Sequence, residues 1–90
     1  MNDPHYQLQI VPTARRHLTE DLPEAVATAA FEFITGPLLH PHRVGKQLRP
    51  PLADRHRARR GTYRILYRID DRNRTVTVLA IGHRGDTYHA

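Results

Sequence analysis

Apolar and polar positions alternate near the start of the chain. Tyr6, Leu8 and Ile10 are separated by Gln7 and Gln9, the period of two expected of a half-buried strand. Pro12 and Thr13 end that run, and Thr13 can cap a short helix carrying Ala14 and Leu18 on one side. Asp21, Leu22 and Pro23 turn the chain into a second helix. There Leu22, Val26, Ala29, Ala30, Phe33 and Ile34 recur at helical spacing and form one apolar stripe, which Gly36 and Pro37 stop. Residues 37–54 hold four prolines and no clear period, so they read as a loop crossing from helices to sheet. Three strands follow, over residues 55–59, 63–70 and 75–82, joined by turns at Gly61-Thr62 and Asp71-Arg72-Asn73.

The element order β-α-α-β-β-β predicts an α+β fold: an antiparallel β-sheet with an N-terminal helical pair packed on one face. Residues 1–90 read as a single domain. In the middle strand Tyr63, Ile65, Tyr67 and Ile69 share the more apolar face, which the helices must cover. Arg64, Leu66 and Arg68 share the other face. The same alternation turns His56 and Ala58 inward and Arg55, Arg57 and Arg59 outward beside Arg64, so four arginines converge on the open face. Both faces of the last strand are apolar. By parity Arg84 goes with Val76, Val78 and Ala80, which leaves Leu79 and Ile81 for the core.

Composition narrows the class. The 90 residues include no cysteine, so disulfides and thiolate metal sites are absent and a reducing compartment fits. No basic segment followed by an apolar run opens the chain, and residues 25–34 are broken by Thr28 and Glu32 and too short to span a bilayer. A soluble cytoplasmic protein with no membrane partner is expected. The charge is lopsided: residues 1–35 carry two basic and five acidic side chains, and residues 36–90 carry twelve basic and four acidic ones. The net is +5, and Lys46 is the one lysine among fourteen basic residues. Arginine's planar fork grips phosphate through two donors. A polyanionic partner follows, either nucleic acid or an acidic protein.

Most hydrolytic sets are missing, since there is no cysteine, no serine and no glycine-rich phosphate loop. His40 and His42 lie in the proline-rich loop without an obvious third ligand, so neither a metal site nor a cofactor is expected. Arginine, histidine and tyrosine remain, and they suffice for RNA cleavage. RNA supplies its own 2′-hydroxyl nucleophile, and the protein need only orient it, stabilise phosphate charge and move two protons.

The run from Arg57 to Tyr67 (RARRGTYRILY), then Ile81-Gly82-His83-Arg84 and Tyr88, resembles the signature of the RelE/ParE superfamily of toxins. Leu48 and Leu52 also sit where that family has leucines, and the derived element order resembles its fold across nearly the whole chain. The resemblance implies a type II toxin held by a cognate acidic, RelB-like antitoxin in a hetero-oligomer. In the RelE branch it implies an mRNA interferase that cuts mRNA on the ribosome. Carried over residue by residue, Arg64 matches the phosphate-binding arginine, Arg84 the second arginine and Tyr88 the terminal tyrosine. Arg57 matches a basic position that is often lysine, and the glutamate that serves some members as base has no clear counterpart. Proton transfer then falls to His83, Tyr88 or His89. Arg55, Arg59, Arg60 and Lys46 are the RNA-binding candidates around that set. Two alternatives stay open: a ParE-like inhibitor of DNA gyrase without nuclease activity, and an inactive basic domain that binds antitoxin or RNA.

Overall fold

A computed structural model describes residues 5–83. Strand β1 (Gln7–Ile10) leads into helix α1 (Pro12–Arg16), which runs on as a wider π turn over His17–Asp21. Pro12 suits the first turn because its missing N–H would have no intrahelical partner. Val11, not Thr13, is the residue that enters the helix, and no side chain caps it. The Leu22 N–H closes the π turn on the His17 carbonyl at 3.2 Å. Helix α2 (Glu24–Ile34) follows, and Thr35 ends it by donating its hydroxyl to the Phe31 carbonyl at 2.7 Å.

The segment expected as plain loop is more ordered than its sequence suggests. Two single 3₁₀ turns, Pro37–Leu39 and Pro41–Arg43, lead into a two-residue strand β2 (Lys46–Gln47). Strands β3 (Arg55–Arg60), β4 (Tyr63–Asp70) and β5 (Thr75–His83) then form the antiparallel meander. Gly61, at φ +55°, takes the left-handed conformation the β3–β4 turn requires. The five strands lie in the order β1-β5-β4-β3-β2, with β1 parallel to β5 and the other pairs antiparallel.

The α+β architecture follows the sequence expectation, and so does the choice of covered face. Ala14, Ala30, Phe33, Ile34 and Leu38 pack with Ala58, Ile65, Tyr67, Val76, Val78 and Ile81 in one buried cluster. The face assignment in β5 needs correction. Leu66 pairs with Ala80 while Tyr67 pairs with Val78, so Leu79 is an extra residue in β5. Such a bulge resets the alternation. Val76 and Val78 therefore join the core with Ile81, and only Ala80 and Gly82 lie in register with the open-face residues Leu66 and Arg64. No helix among the described residues is long and apolar enough to cross a membrane.

Candidate nucleic-acid interface

Residues paired across neighbouring strands project to the same face, so the register fixes the composition of the open face. Arg55 lies opposite Arg68, Arg57 opposite Leu66 and Arg59 opposite Arg64. Lys46 of β2 pairs with Arg57 from the outer side, and Ala80 and Gly82 of β5 stand beside Leu66 and Arg64. Arg55, Arg57, Arg59, Arg64 and Arg68 thus share one face of two adjacent strands with Lys46. Arg55 forms a loose ion pair with Asp54, whose Oδ1 lies 3.9 Å from the Arg55 Nε. Small and apolar neighbours at Leu66, Ala80 and Gly82 keep the middle of this face open to a ligand. A cavity of about 240 Å³ borders Arg64 and Arg59 at the β3–β4 turn. A larger one, about 760 Å³, lies between β3 and residues 43–49.

Two candidates leave the composite site. Arg60 has the parity of Ala58 and pairs with Tyr63, on the helix side. Its guanidinium donates to the carbonyls of Arg59 at 2.8 Å and Val44 at 3.2 Å and sits 4.9 Å from the centre of the Phe33 ring. It is a strut between turn, loop and helix, although it also borders the larger cavity. His83 also pairs with Tyr63, so it falls on the helix side, opposite Arg64. It shares the parity of Ile81, which the alternation already gave to the core, so its place follows from the strand itself. The bulge at Leu79 moves Val76 and Val78 instead, and two equally apolar faces gave no sequence signal for it. Arg84, Tyr88 and His89 lie outside the described residues. Arg43 and Arg49, which line the larger cavity, were missed because their segment has no period from which to read a face.

The other end of the sheet carries a distinct ring cluster. Tyr6 donates its hydroxyl to Asp71 Oδ1 at 2.5 Å, and His42 Nε2 lies 2.7 Å from the same oxygen. His42 meets His56 edge-on at 6.3 Å, and His56 stacks on Tyr67 at 5.5 Å. The Tyr67 hydroxyl donates to the Pro41 carbonyl at 3.0 Å. The bonds from Tyr6 and His42 hold the Asp71 carboxyl below its usual range. Burial pushes the Tyr67 hydroxyl up to about 12. Burial, and then the neighbouring His42, lower the His56 imidazole. His42 is thereby engaged with Asp71, and no group of three or more histidines and carboxylates among the described residues is arranged to hold a metal. The cluster ties the 40–43 loop to the β4–β5 turn and so supports the segment that walls the larger cavity.

Comparison with known proteins adds a family to this geometry. Residues 5–88 match the family model described as ParE toxin of type II toxin-antitoxin system, parDE. Toxin RelE of Mycobacterium tuberculosis is 48% identical over 90 residues, covering 98% of this chain and 92% of the relative. Toxin RelG of the same organism is 50% identical over 84 residues, covering 92% and 95%. Among solved structures, the toxin–antitoxin complex RelBE2 of M. tuberculosis contains a chain 49% identical to this one. That match has a TM-score of 0.84 and covers 89% of this chain and 99% of that one.

Proposed function

The chain belongs to the ParE toxin family of type II toxin–antitoxin systems, within the RelE/ParE superfamily, and on that premise we propose that it is a metal-independent endoribonuclease acting on ribosome-bound mRNA. The observation that carries the reading is the register pairing that gathers Arg57, Arg59 and Arg64 on one open face. A surface that only docked on a protein would want apolar anchors among its charges. Here the neighbours in register are Leu66, Ala80 and Gly82, which give room and little grip. That relatives about half identical are named Toxin RelE and Toxin RelG supports the same branch.

In the proposed reaction the 2′-oxygen attacks the adjacent phosphorus and the bond from phosphorus to the 5′-oxygen breaks. The 2′-hydroxyl proton passes to a base, and the departing 5′-oxygen receives one from an acid. The products are a 2′,3′-cyclic phosphate and a 5′-hydroxyl. Arg64 and Arg57 stabilise charge on the phosphate oxygens, with Arg84 as the second arginine implied by the family pattern. His83 stands on the other face, so proton transfer is assigned to Tyr88, with His89 next to it in sequence. A cognate acidic antitoxin would neutralise the arginine face, a role supported by the RelBE2 relative having been solved as a toxin–antitoxin complex.

The test uses purified wild type and Arg64→Ala on ribosomes carrying mRNA, with a gyrase supercoiling assay in parallel. Cleavage leaving cyclic phosphate ends, lost in Arg64→Ala, with gyrase untouched, is the expected result. The matching family model carries the ParE name, which keeps the gyrase reading as the competing outcome. Gyrase inhibition without mRNA cleavage would establish it.

A further inference from the structure

The larger cavity joins the Arg64 region but is built from different parts. It is lined by Arg43, Lys46, Arg49, Arg57, Arg59 and Arg60, with Val44 and Leu48 between them, and no carboxylate or aromatic ring among the described residues borders it. Its outer wall is fixed in place. The Leu48 N–H donates to the Arg55 carbonyl at 2.9 Å, and Gln47 Nε2 donates to the Ala53 carbonyl at 2.6 Å. Arg60 holds the Val44 carbonyl, and the Tyr67 hydroxyl holds that of Pro41. Gly45 lets the wall approach: a Cβ there would meet the Tyr67 hydroxyl and come within 2.7 Å of the Arg57 carbonyl oxygen. Arg59 lines this groove and also the small cavity beside Arg64, so one side chain borders both.

We propose that this groove is a second binding site, a track for the phosphate backbone of the RNA flanking the cleaved bond, with Arg43 and Arg49 as its outer phosphate ligands. It rests on the ribonuclease reading above for its substrate. Six basic side chains favour a phosphodiester chain over a peptide, although the half-buried Val44 and Leu48 also line the groove; the exposed Phe31 and Leu52 are not part of it. The described lining offers no aromatic platform on which bases could stack, and Gln47, the one side-chain amide among those residues, is tied to Ala53. The track therefore reads charge and spacing rather than sequence.

The experiment measures binding of fluorescein-labelled single-stranded RNA, as U-only and A-only oligonucleotides, to the whole protein by anisotropy across a salt series. Wild type is compared with Arg43→Gln/Arg49→Gln, whose melting temperature is checked first; both changes are at exposed positions. Each lost phosphate contact should flatten the log–log salt slope by about 0.7, so the double variant should lose about 1.4, with roughly tenfold or more in affinity at low salt. In single-turnover cleavage the half-saturating concentration should rise by the same factor with the limiting rate unchanged. The two oligonucleotides should bind alike. Unchanged slope and affinity would overturn the track, as would a strong preference for one base. Loss of antitoxin binding with RNA binding intact would overturn it in favour of a peptide site. RNA binding that shows the expected loss in a protein that cuts nothing would sink the ribonuclease reading and leave the track standing.

Discussion

Strands β3 and β4 present two faces of opposite character, although the residues that make them alternate one by one. On the helix side Ala58, Ile65 and Tyr67 are at most 1% exposed, and burial of their apolar surface holds the domain together. On the other side arginine faces arginine at Arg55–Arg68 and Arg59–Arg64. Like charges directly opposite one another weaken a sheet by a few tenths of a kcal/mol to about 1 kcal/mol per pair. One face thus holds the fold and the other strains against it. The like-charged face is where the proposed function places the substrate phosphates.

The largest effect is expected on the dry face. Ile65→Ala should cost about 2–5 kcal/mol, read by urea denaturation, because Ile65 is fully buried. A loss below about 1 kcal/mol would mean that this face is not the core. Gly45→Ala comes next. The added methyl crowds both the Arg57 carbonyl and the Tyr67 hydroxyl, a strain of roughly 1–3 kcal/mol that should appear as a lower melting temperature. It should also weaken RNA binding, since the wall of the groove has to move.

Acid pH probes the ring cluster. The folded-state pKa of His56 lies below 6.5, chiefly through burial and then through His42. The unfolded chain therefore takes up this proton first as pH falls. His56 contributes a stability that is complete above about pH 7 and declines as pH drops below 6.5. Comparing wild type with His56→Gln from pH 7 to 5 should show the flatter profile in the variant. An equally steep decline in both would place the acid sensitivity elsewhere. The smallest effect concerns the open face: Arg68→Gln, which removes one of a like-charged pair, should raise stability by about 0.2–1 kcal/mol. A clear loss would show that Arg68 makes a structural contact.

How much of this could be read in advance depended on local periodicity. The middle strand was legible because Tyr63, Ile65, Tyr67 and Ile69 alternate with Arg64, Leu66 and Arg68, and that single contrast oriented sheet, helices and arginine face together. Strand β5 was legible as a strand but not by face. Its residues are apolar on both sides, so the bulge at Leu79 left no mark and Val76 and Val78 were given to the open face, while His83 could have been placed from the parity it shares with Ile81. Arg60 could have been placed from the parity it shares with His56 and Ala58. Strand β2 could not have been found, because Lys46 and Gln47 are both exposed and two residues show no alternation. Arg43 and Arg49 were hidden with it, since their part in the groove comes from tertiary ties through Tyr67 and Arg60.

The two faces are tested most directly by two neighbours in one strand. Purified Arg64→Ala and Ile65→Ala are each measured for unfolding free energy and for single-turnover mRNA cleavage under conditions where both remain folded. Arg64→Ala should lose about 10²–10³-fold in rate with a much smaller loss of stability than Ile65→Ala, and Ile65→Ala should lose stability yet cleave at close to the wild-type rate. If Arg64→Ala instead unfolds the protein, or cleaves as wild type does, the arginine face is not a site separate from the fold.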